Sequence, residues 1–220
     1  MSLLAKLRLV FSLGQGIKSL THGLTEKEAG LDPFRLFGEW FQHAKTSGVA
    51  LPEAMTLATA SKDGAPSARI VLLKSFDTRG FIFYTNYDSR KCRDLEENPC
   101  AALICYWTML QRQIRIEGSV ERTSQEESTE YFRTRPRGSQ IGAWASTQSA
   151  SLNSYDQLVR RTTEFDQKFK GQDVPLPPFW GGYIVRPIRI EFWQGRANRL
   201  HDRLLYERED SGWKVTRLNP

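Results

Sequence analysis

Apolar residues recur at helical spacing early in the chain. Phe34, Phe37, Trp40, Phe41 and Ala44 fall on one face, Asp32-Pro33 supplies an N-cap followed by proline at the first helical position, and Gly48 is a stop. The ordered part is expected to begin near Asp32, with these aromatics as core. From about residue 54 the period changes to two. It predicts strands over Ala54–Ser61, Ser67–Phe76, Phe81–Asn86, Cys100–Trp107 and Arg112–Glu121, with a short polar helix near Ser89–Glu97. Asp63-Gly64 and Arg79-Gly80 provide the left-handed backbone of tight hairpins.

Ser124-x-x-Glu127 is a capping box, opening a helix that must end before Pro136. A longer helix from about Ser154 places Tyr155, Leu158, Thr162, Phe165 and Phe169 on one side. Beyond a rigid proline-rich connection at Val174–Pro178, strands are expected at Gly182–Trp193, Arg199–Glu209 and Trp213–Leu218. Short antiparallel strands with helices between them predict a mainly β protein of α+β type, a β-barrel with peripheral helices. Parallel βαβ units and a glycine-rich dinucleotide fingerprint are both missing, so a nucleotide-like cofactor must be held in another way.

Composition adds little against this pattern. The chain has 220 residues, 40% hydrophobic and 25% charged, with a net charge of +6. That balance suits one soluble domain with a modest appendage. No apolar run approaches the ~20 residues of a membrane span. The basic residues are spread along the chain, so the charge alone is equally compatible with nucleic acid, with anionic phosphorylated ligands and with a solvated surface of no role; the aromatics fall at core spacings and no nucleic-acid motif is present. Three cysteines without a CxxC pair, Cys92, Cys100 and Cys105, read as buried free thiols in a reducing, cytoplasmic compartment. The three histidines do not cluster, so no metal site is expected. Residues 1–30 form a basic arm, with Lys6, Arg8 and Lys18 and no acid among the first 25 residues. The arm faintly resembles an organelle transit peptide and lacks the apolar core of a secretory signal.

Several constellations could carry chemistry. Arg69 and Lys74 close the two ends of an apolar strand and, five apart, point to opposite faces unless a bulge re-aims one. Ser89-Arg90-Lys91 opens a helix, where backbone N–H groups and two cations make a phosphate cradle or simply a capped surface helix. Tyr131 and Arg135 share a helix face, with Ser139 close behind; they could converge on one phosphate. Arg199, His201 and Arg203 alternate along a predicted strand and would face one way, a repulsive trio unless an anion or π-rich ligand sits there. Asp202, on the other face, is expected to be structural.

The segment Glu191-Phe192-Trp193-Gln194-Gly195-Arg196-Ala197-Asn198-Arg199-Leu200-His201-Asp202-Arg203 closely resembles the C-terminal signature of the pyridoxine/pyridoxamine 5′-phosphate oxidase family. The resemblance extends through Arg69–Lys74, Phe83–Asn86, Ser89–Lys91, Arg135–Arg137, Ser139–Trp144 and Pro175–Gly182, covering roughly residues 30 to 220. It implies an FMN-binding split β-barrel over residues 31–220, homodimeric, with FMN at the subunit interface. The implied reaction oxidises pyridoxine 5′-phosphate or pyridoxamine 5′-phosphate to pyridoxal 5′-phosphate, with O2 as acceptor giving H2O2, and ammonia from the amine. The implied cofactor residues are Arg69, Ile70, Val71, Leu72, Leu73, Lys74, Tyr84, Thr85, Arg90, Lys91, Gln113, Gln148, Ser149, Trp193 and Arg203. Substrate would be held by Lys74, Tyr131, Arg135, Ser139, Arg199, Leu200 and His201, with Arg199 and His201 nearest the reacting carbon. Family members often carry an Arg-x-x-Tyr pair in the N-terminal arm; here only Arg8-x-x-Phe11 has that spacing. A flavin reductase would keep the cofactor positions without needing Tyr131, Arg135, Ser139, Arg199 and His201 together. The non-enzymatic alternative is a pyridoxal-phosphate carrier or a basic nucleic-acid-binding module.

Overall fold

The computed structural model describes residues 23–220. Most of the predicted basic arm, including Arg8 and Phe11, therefore lies outside the described residues. Regular structure is already present before Asp32, in a short helix α1 (Glu26–Ala29) capped by Thr25. The segment is strapped to the C-terminal hairpin. Arg217 pairs with Glu26 at 2.8 Å and donates to the Leu24 carbonyl at 2.8 Å, while the Tyr206 hydroxyl donates to the Gly30 carbonyl at 2.9 Å. The Arg217 hydrogen bond holds the Glu26 carboxyl down at about 2.

Helix α2 (Pro33–Thr46) begins as its sequence predicts: the Asp32 carboxylate accepts from Phe34 N, and Pro33 occupies the first turn. Phe34, Phe37, Trp40 and Ala44 are buried. Phe37 meets Phe76 and Phe81 edge-on at 4.7 and 4.8 Å, and Trp40 meets Phe192 at 5.3 Å. Such contacts each add ~1 kcal/mol to the burial of the rings themselves.

The strands are β1 (Ala54–Ala60), β2 (Pro66–Leu72), β3 (Ser75–Asp77), β4 (Gly80–Asn86), β5 (Cys100–Trp107), β6 (Arg112–Arg122), β7 (Trp180–Gln194), β8 (Asp202–Glu209) and β9 (Gly212–Arg217). All pairings are antiparallel, in the order β2-β1-β5-β6-β7-β4-β3, with β8 and β9 branching from β7. Strand β7 is the spine. One edge runs along β6; the other pairs with β4 through residues 180–185 and with β8 through residues 189–194. The sheet splits where β4 gives way to β8. There the β6–β7 register shifts between Glu117 and Gly118. The bulge lets Pro187 sit inside a central strand, which its missing N–H otherwise forbids. It also brings the backbones together: a Cβ on Gly118 would lie 1.9 Å from the Arg186 carbonyl oxygen.

Four helices between strands complete the fold: α3 (Arg90–Glu97), α4 (Gln125–Thr134), α5 (Arg137–Ala145) and α6 (Tyr155–Lys168). The Ser124–Glu127 capping box forms in both directions. Gly80 ends the β3–β4 turn with φ +154°, and a Cβ there would sit 2.1 Å from the Val185 carbonyl. A second core lies under α4–α6, built from Phe132, Ile141, Phe169, Val174 and Trp180.

Four expectations need correction. The predicted Ser67–Phe76 strand is two strands, because the chain turns at Leu73-Lys74 and continues against β4. Helix α5 was not foreseen; its two glycines and only two buried residues, Ile141 and Ala145, leave too weak a periodicity. Helix α6 buries no residue and exposes Tyr155, so its apolar face closes the second core only at its end, through Phe165 and Phe169. Cys100 is exposed, whereas Cys92 and Cys105 are buried; all three are free thiols. Among the described residues, no helix is long and apolar enough to cross a membrane, and no group of metal-ligating side chains assembles.

Candidate active site

Where β2 faces the start of α3 and the end of α4, the chain leaves a cleft of about 810 Å³. Arg69, Ile70, Val71, Leu72, Lys74, Tyr84, Thr85, Arg90, Lys91, Tyr131, Arg135, Ser139, Gln148 and Ser149 all line it. Fourteen of the residues implicated by sequence are thus brought to one place. Arg69 and Lys74 share the cleft because the strand breaks after Leu72, re-aiming Lys74. Leu73 does not line it. It is buried in the main core, with its N–H on the Glu53 carbonyl at 2.8 Å.

The cleft is cationic by construction. Its lining includes Arg69, Lys74, Arg90, Lys91 and Arg135, and no carboxylate. Arg69 is fixed from behind: it donates to Thr59 Oγ1 at 2.7 Å, Ser67 Oγ at 2.8 Å and the Leu57 carbonyl at 3.2 Å. Buried Asp94, 3.7 Å away, accepts from Thr59 at 2.7 Å. Burial pulls the Arg69 guanidinium below its ordinary value, with Asp94 opposing. Lys91 is buried and likewise lowered by desolvation; its ammonium donates to Ser89 Oγ at 2.9 Å and Gln148 Oε1 at 2.7 Å. Ser89 therefore accepts from Lys91 and makes no side-chain cap to its own helix.

The 146–149 loop closes this end. Gln148 Oε1 also accepts from Thr85 at 3.2 Å, and Ser149, in left-handed backbone with φ +70°, accepts from Arg90 N at 3.3 Å. On the opposite wall Tyr84, Tyr131 and Trp180 stack. Tyr84 and Tyr131 lie 4.0 Å apart at 12°, and Tyr84 and Trp180 lie 5.5 Å apart at 6°. Burial pushes the Tyr84 phenol up to about 12. The Arg135 guanidinium lies 4.6 Å over Trp180, its Nη1 is buried without a hydrogen-bond partner, and desolvation lowers its pKa. An unpaired buried donor is costly unless an acceptor arrives, so this atom marks where an anion fits. Trp180 was not singled out by sequence; its signal was a tryptophan two residues after the proline-rich connection.

Gln113, Trp193, Arg199, Leu200, His201 and Arg203 lie elsewhere in the chain, around the end of β7. Gln113 pairs with Trp193 across β6–β7, and Trp193 with Arg203 across β7–β8. The expected alternation of Arg199, His201 and Arg203 along one strand does not hold. Strand β8 begins only at Asp202, and Asn198 and Arg199 take left-handed backbone, φ +58° and +62°, in a short 3-10 turn. Arg199 and Leu200 are exposed. The His201 ring lies 4.6 Å from Trp193, and its Nδ1 accepts from Arg196 N at 3.1 Å, which leaves the proton of the neutral ring on Nε2. Arg203 donates through Nε to buried Glu191 at 2.8 Å and through Nη1 to the Asn219 carbonyl at 2.9 Å. Asp202 is structural, as expected: it accepts from Leu24 N at 3.1 Å and pairs with Arg217 at 2.8 Å.

Comparison with known proteins agrees with this layout. Residues 42–169 match the family model described as pyridoxamine 5′-phosphate oxidase, and residues 180–220 match the pyridoxine 5′-phosphate oxidase C-terminal dimerisation region. A pyridoxine/pyridoxamine 5′-phosphate oxidase of Rubrobacter xylanophilus is 61% identical over 198 residues, covering 90% of this chain and 91% of the relative. One from Psychromonas ingrahamii is 52% identical over 220 residues, the whole of both chains. Among solved structures, PhzG from Burkholderia lata in complex with tetrahydrophenazine-1-carboxylic acid superposes with a TM-score of 0.86 at 34% identity, covering 92% of this chain and 100% of that one. A pyridoxamine 5′-phosphate oxidase-related, FMN-binding protein from Nostoc punctiforme shares the fold, with a TM-score of 0.70 at 18% identity over 87% of this chain and 100% of that one. Two family models in tandem over residues 42–169 and 180–220, with relatives 52–61% identical over most or all of their length, agree, and the chain belongs to the pyridoxine/pyridoxamine 5′-phosphate oxidase family.

Proposed function

We propose that the protein binds FMN in the cationic cleft and oxidises pyridoxine 5′-phosphate or pyridoxamine 5′-phosphate to pyridoxal 5′-phosphate, consuming O2 and releasing H2O2. The observation that carries this reading is the buried, unpartnered Nη1 of Arg135 in a cleft lined by five cations and no carboxylate. The donor set suits phosphorylated ligands: guanidinium forks, ammoniums, the hydroxyls of Thr85, Ser139 and Ser149, and the helix start at Arg90. FMN, when bound, supplies a two-electron acceptor at N5 for the hydride from the substrate's C4′.

The chain's own residues then bind and orient. Arg69, Arg90 and Lys91, with Thr85, Gln148 and Ser149, hold the cofactor, and Lys74, Tyr131, Arg135 and Ser139 hold the substrate phosphate. Arg199 and His201 complete the pocket over the pyridine ring, with His201 keeping its proton on Nε2. In one chain Gln113, Trp193, Arg199, Leu200, His201 and Arg203 do not reach the cleft. We assign them to the cleft of a second copy, in a homodimer joined through the C-terminal region. Leu200 at 68% exposure and Ile70 at 64%, on the cleft rim, are apolar surfaces for such a contact. The reading puts the enzyme in the cytoplasm, where its three free thiols stay reduced.

The test is a visible spectrum of the purified protein, followed by pyridoxine 5′-phosphate without oxygen. A flavin spectrum that bleaches, and returns with H2O2 on admitting air, is expected. A flavin spectrum that neither phosphorylated substrate bleaches would leave a flavoprotein of another specificity.

A further inference from the structure

Glu191 stands out among the charged residues outside the cleft. Its side chain is 8% exposed, on the face of β7 that also carries Trp193, while Ile190 and Phe192 turn into the core. Burying a carboxylate is costly unless it is paired and hydrogen-bonded. Glu191 is both. Its Oε1 accepts from Arg203 Nε at 2.8 Å, and its Oε2 accepts from Arg115 Nη1 at 3.2 Å. Arg203 is cross-strand from Trp193, two residues along, so its side chain leans back down the sheet to reach Glu191. Its Nη1 is held separately by the Asn219 carbonyl at 2.9 Å. The carboxylate hydrogen bond raises the Arg203 pKa, so the cation is secure at any working pH. Two of the three nitrogens of Arg203 are thereby occupied by its own chain, and Nη2 makes no hydrogen bond among the described residues.

We propose that Glu191 is a positioning residue for the cofactor: it clamps Arg203 through Nε, as the C-terminal carbonyl clamps Nη1, so that Nη2 is presented to FMN in a fixed orientation. This rests on the cofactor role assigned to Arg203 above. A guanidinium already fixed loses less freedom on contacting a ligand, and a preorganised donor binds more tightly than a mobile one of equal charge. Arg115, on the other oxygen and itself paired with Glu117, keeps the carboxylate from swinging away.

The experiment is FMN titration of the apoprotein, followed by quenching of flavin fluorescence, in a double-mutant cycle. Arg203→Ala and Glu191→Gln are each expected to raise the FMN Kd about tenfold, and the double variant no more than Arg203→Ala alone. Glu191→Asp keeps the buried charge on a shorter stem and should raise the Kd about threefold, so it serves if the glutamine variant does not fold. A Kd unchanged by both Glu191 variants, while Arg203→Ala weakens binding, would overturn the clamp. Additive losses in the double variant would overturn it as well, by placing the effect of Glu191 outside Arg203. If Arg203→Ala itself leaves the Kd unchanged, the failure is in the assignment of Arg203 to the cofactor, a separate result.

Discussion

The two halves of the proposed active site are built differently. In the cleft half, two of the five cations are fixed by groups of the same chain: Arg69 by Thr59 and Asp94, Lys91 by Ser89 and Gln148. In the C-terminal half, Arg199 and Leu200 stand exposed on a turn with two left-handed residues, and only Arg203 is clamped. The first half is assembled by folding alone. The second acquires surroundings for its exposed groups only against another surface. Binding of the cofactor and orientation of the substrate ring should therefore respond to different mutations.

The largest separation is expected at Arg199. Replacing Arg199 with alanine should lower kcat/KM about 100-fold, the scale of losing correct ring placement, while the FMN Kd stays within about twofold. Equal losses in both would erase the distinction between the halves. Next comes Arg135. Arg135→Met should raise KM for the phosphorylated substrate roughly 30-fold, about 2 kcal/mol for a charge-assisted contact, with a smaller change in kcat. Steady-state kinetics on both substrates decides this.

Removing the cofactor probes the cleft half as a whole. Its cations repel one another until an anion enters, so FMN at ten times its Kd should add about 1.4 kcal/mol and raise Tm by roughly 3–6 °C. The gain should shrink as salt rises. The smallest effect concerns the base of the C-terminal half. Arg112 is pushed down to about 10 by burial, lies 4.3 Å over Trp40, and bonds Gln194 at 2.8 Å and His43 Nδ1 at 3.0 Å. Burial first, and Arg112 second, hold the His43 imidazole below its ordinary value. As pH falls through about 6.5 the unfolded chain therefore takes up a proton that the folded chain refuses, and stability falls. His43→Gln should flatten that part of a Tm-against-pH curve.

The sequence was most legible where one residue type satisfies one local demand. Asp32-Pro33 and the Ser124–Glu127 box each answer a backbone requirement that does not depend on the rest of the molecule, and each sits where expected. It was least legible where tertiary structure overrides a period. Nothing in Ser67–Phe76 marks the turn at Leu73-Lys74, because no Gly, Pro, Asn or Asp falls there; the turn is set by the shift of pairing partner from β1 to β4. The assumed strand through Arg199 failed because Asn198, tolerant of left-handed backbone, starts a turn that alternation cannot reveal. Asp94 and Glu191 were passed over for a related reason. A buried carboxylate looks like any other polar residue until the arginine it faces is known.

The spine strand also sets a timetable for the ribosome. Nearly every cleft residue is translated before residue 150, but the aromatic wall is finished by Trp180, and Tyr84 is fixed by pairing with Gly182 across β4–β7. That closure spans about a hundred residues of chain, the non-local kind that forms slowly. A nascent chain thus carries the cleft's cations well before the cleft is walled in, and under the proposed function cofactor loading would wait for β7 to emerge and dock.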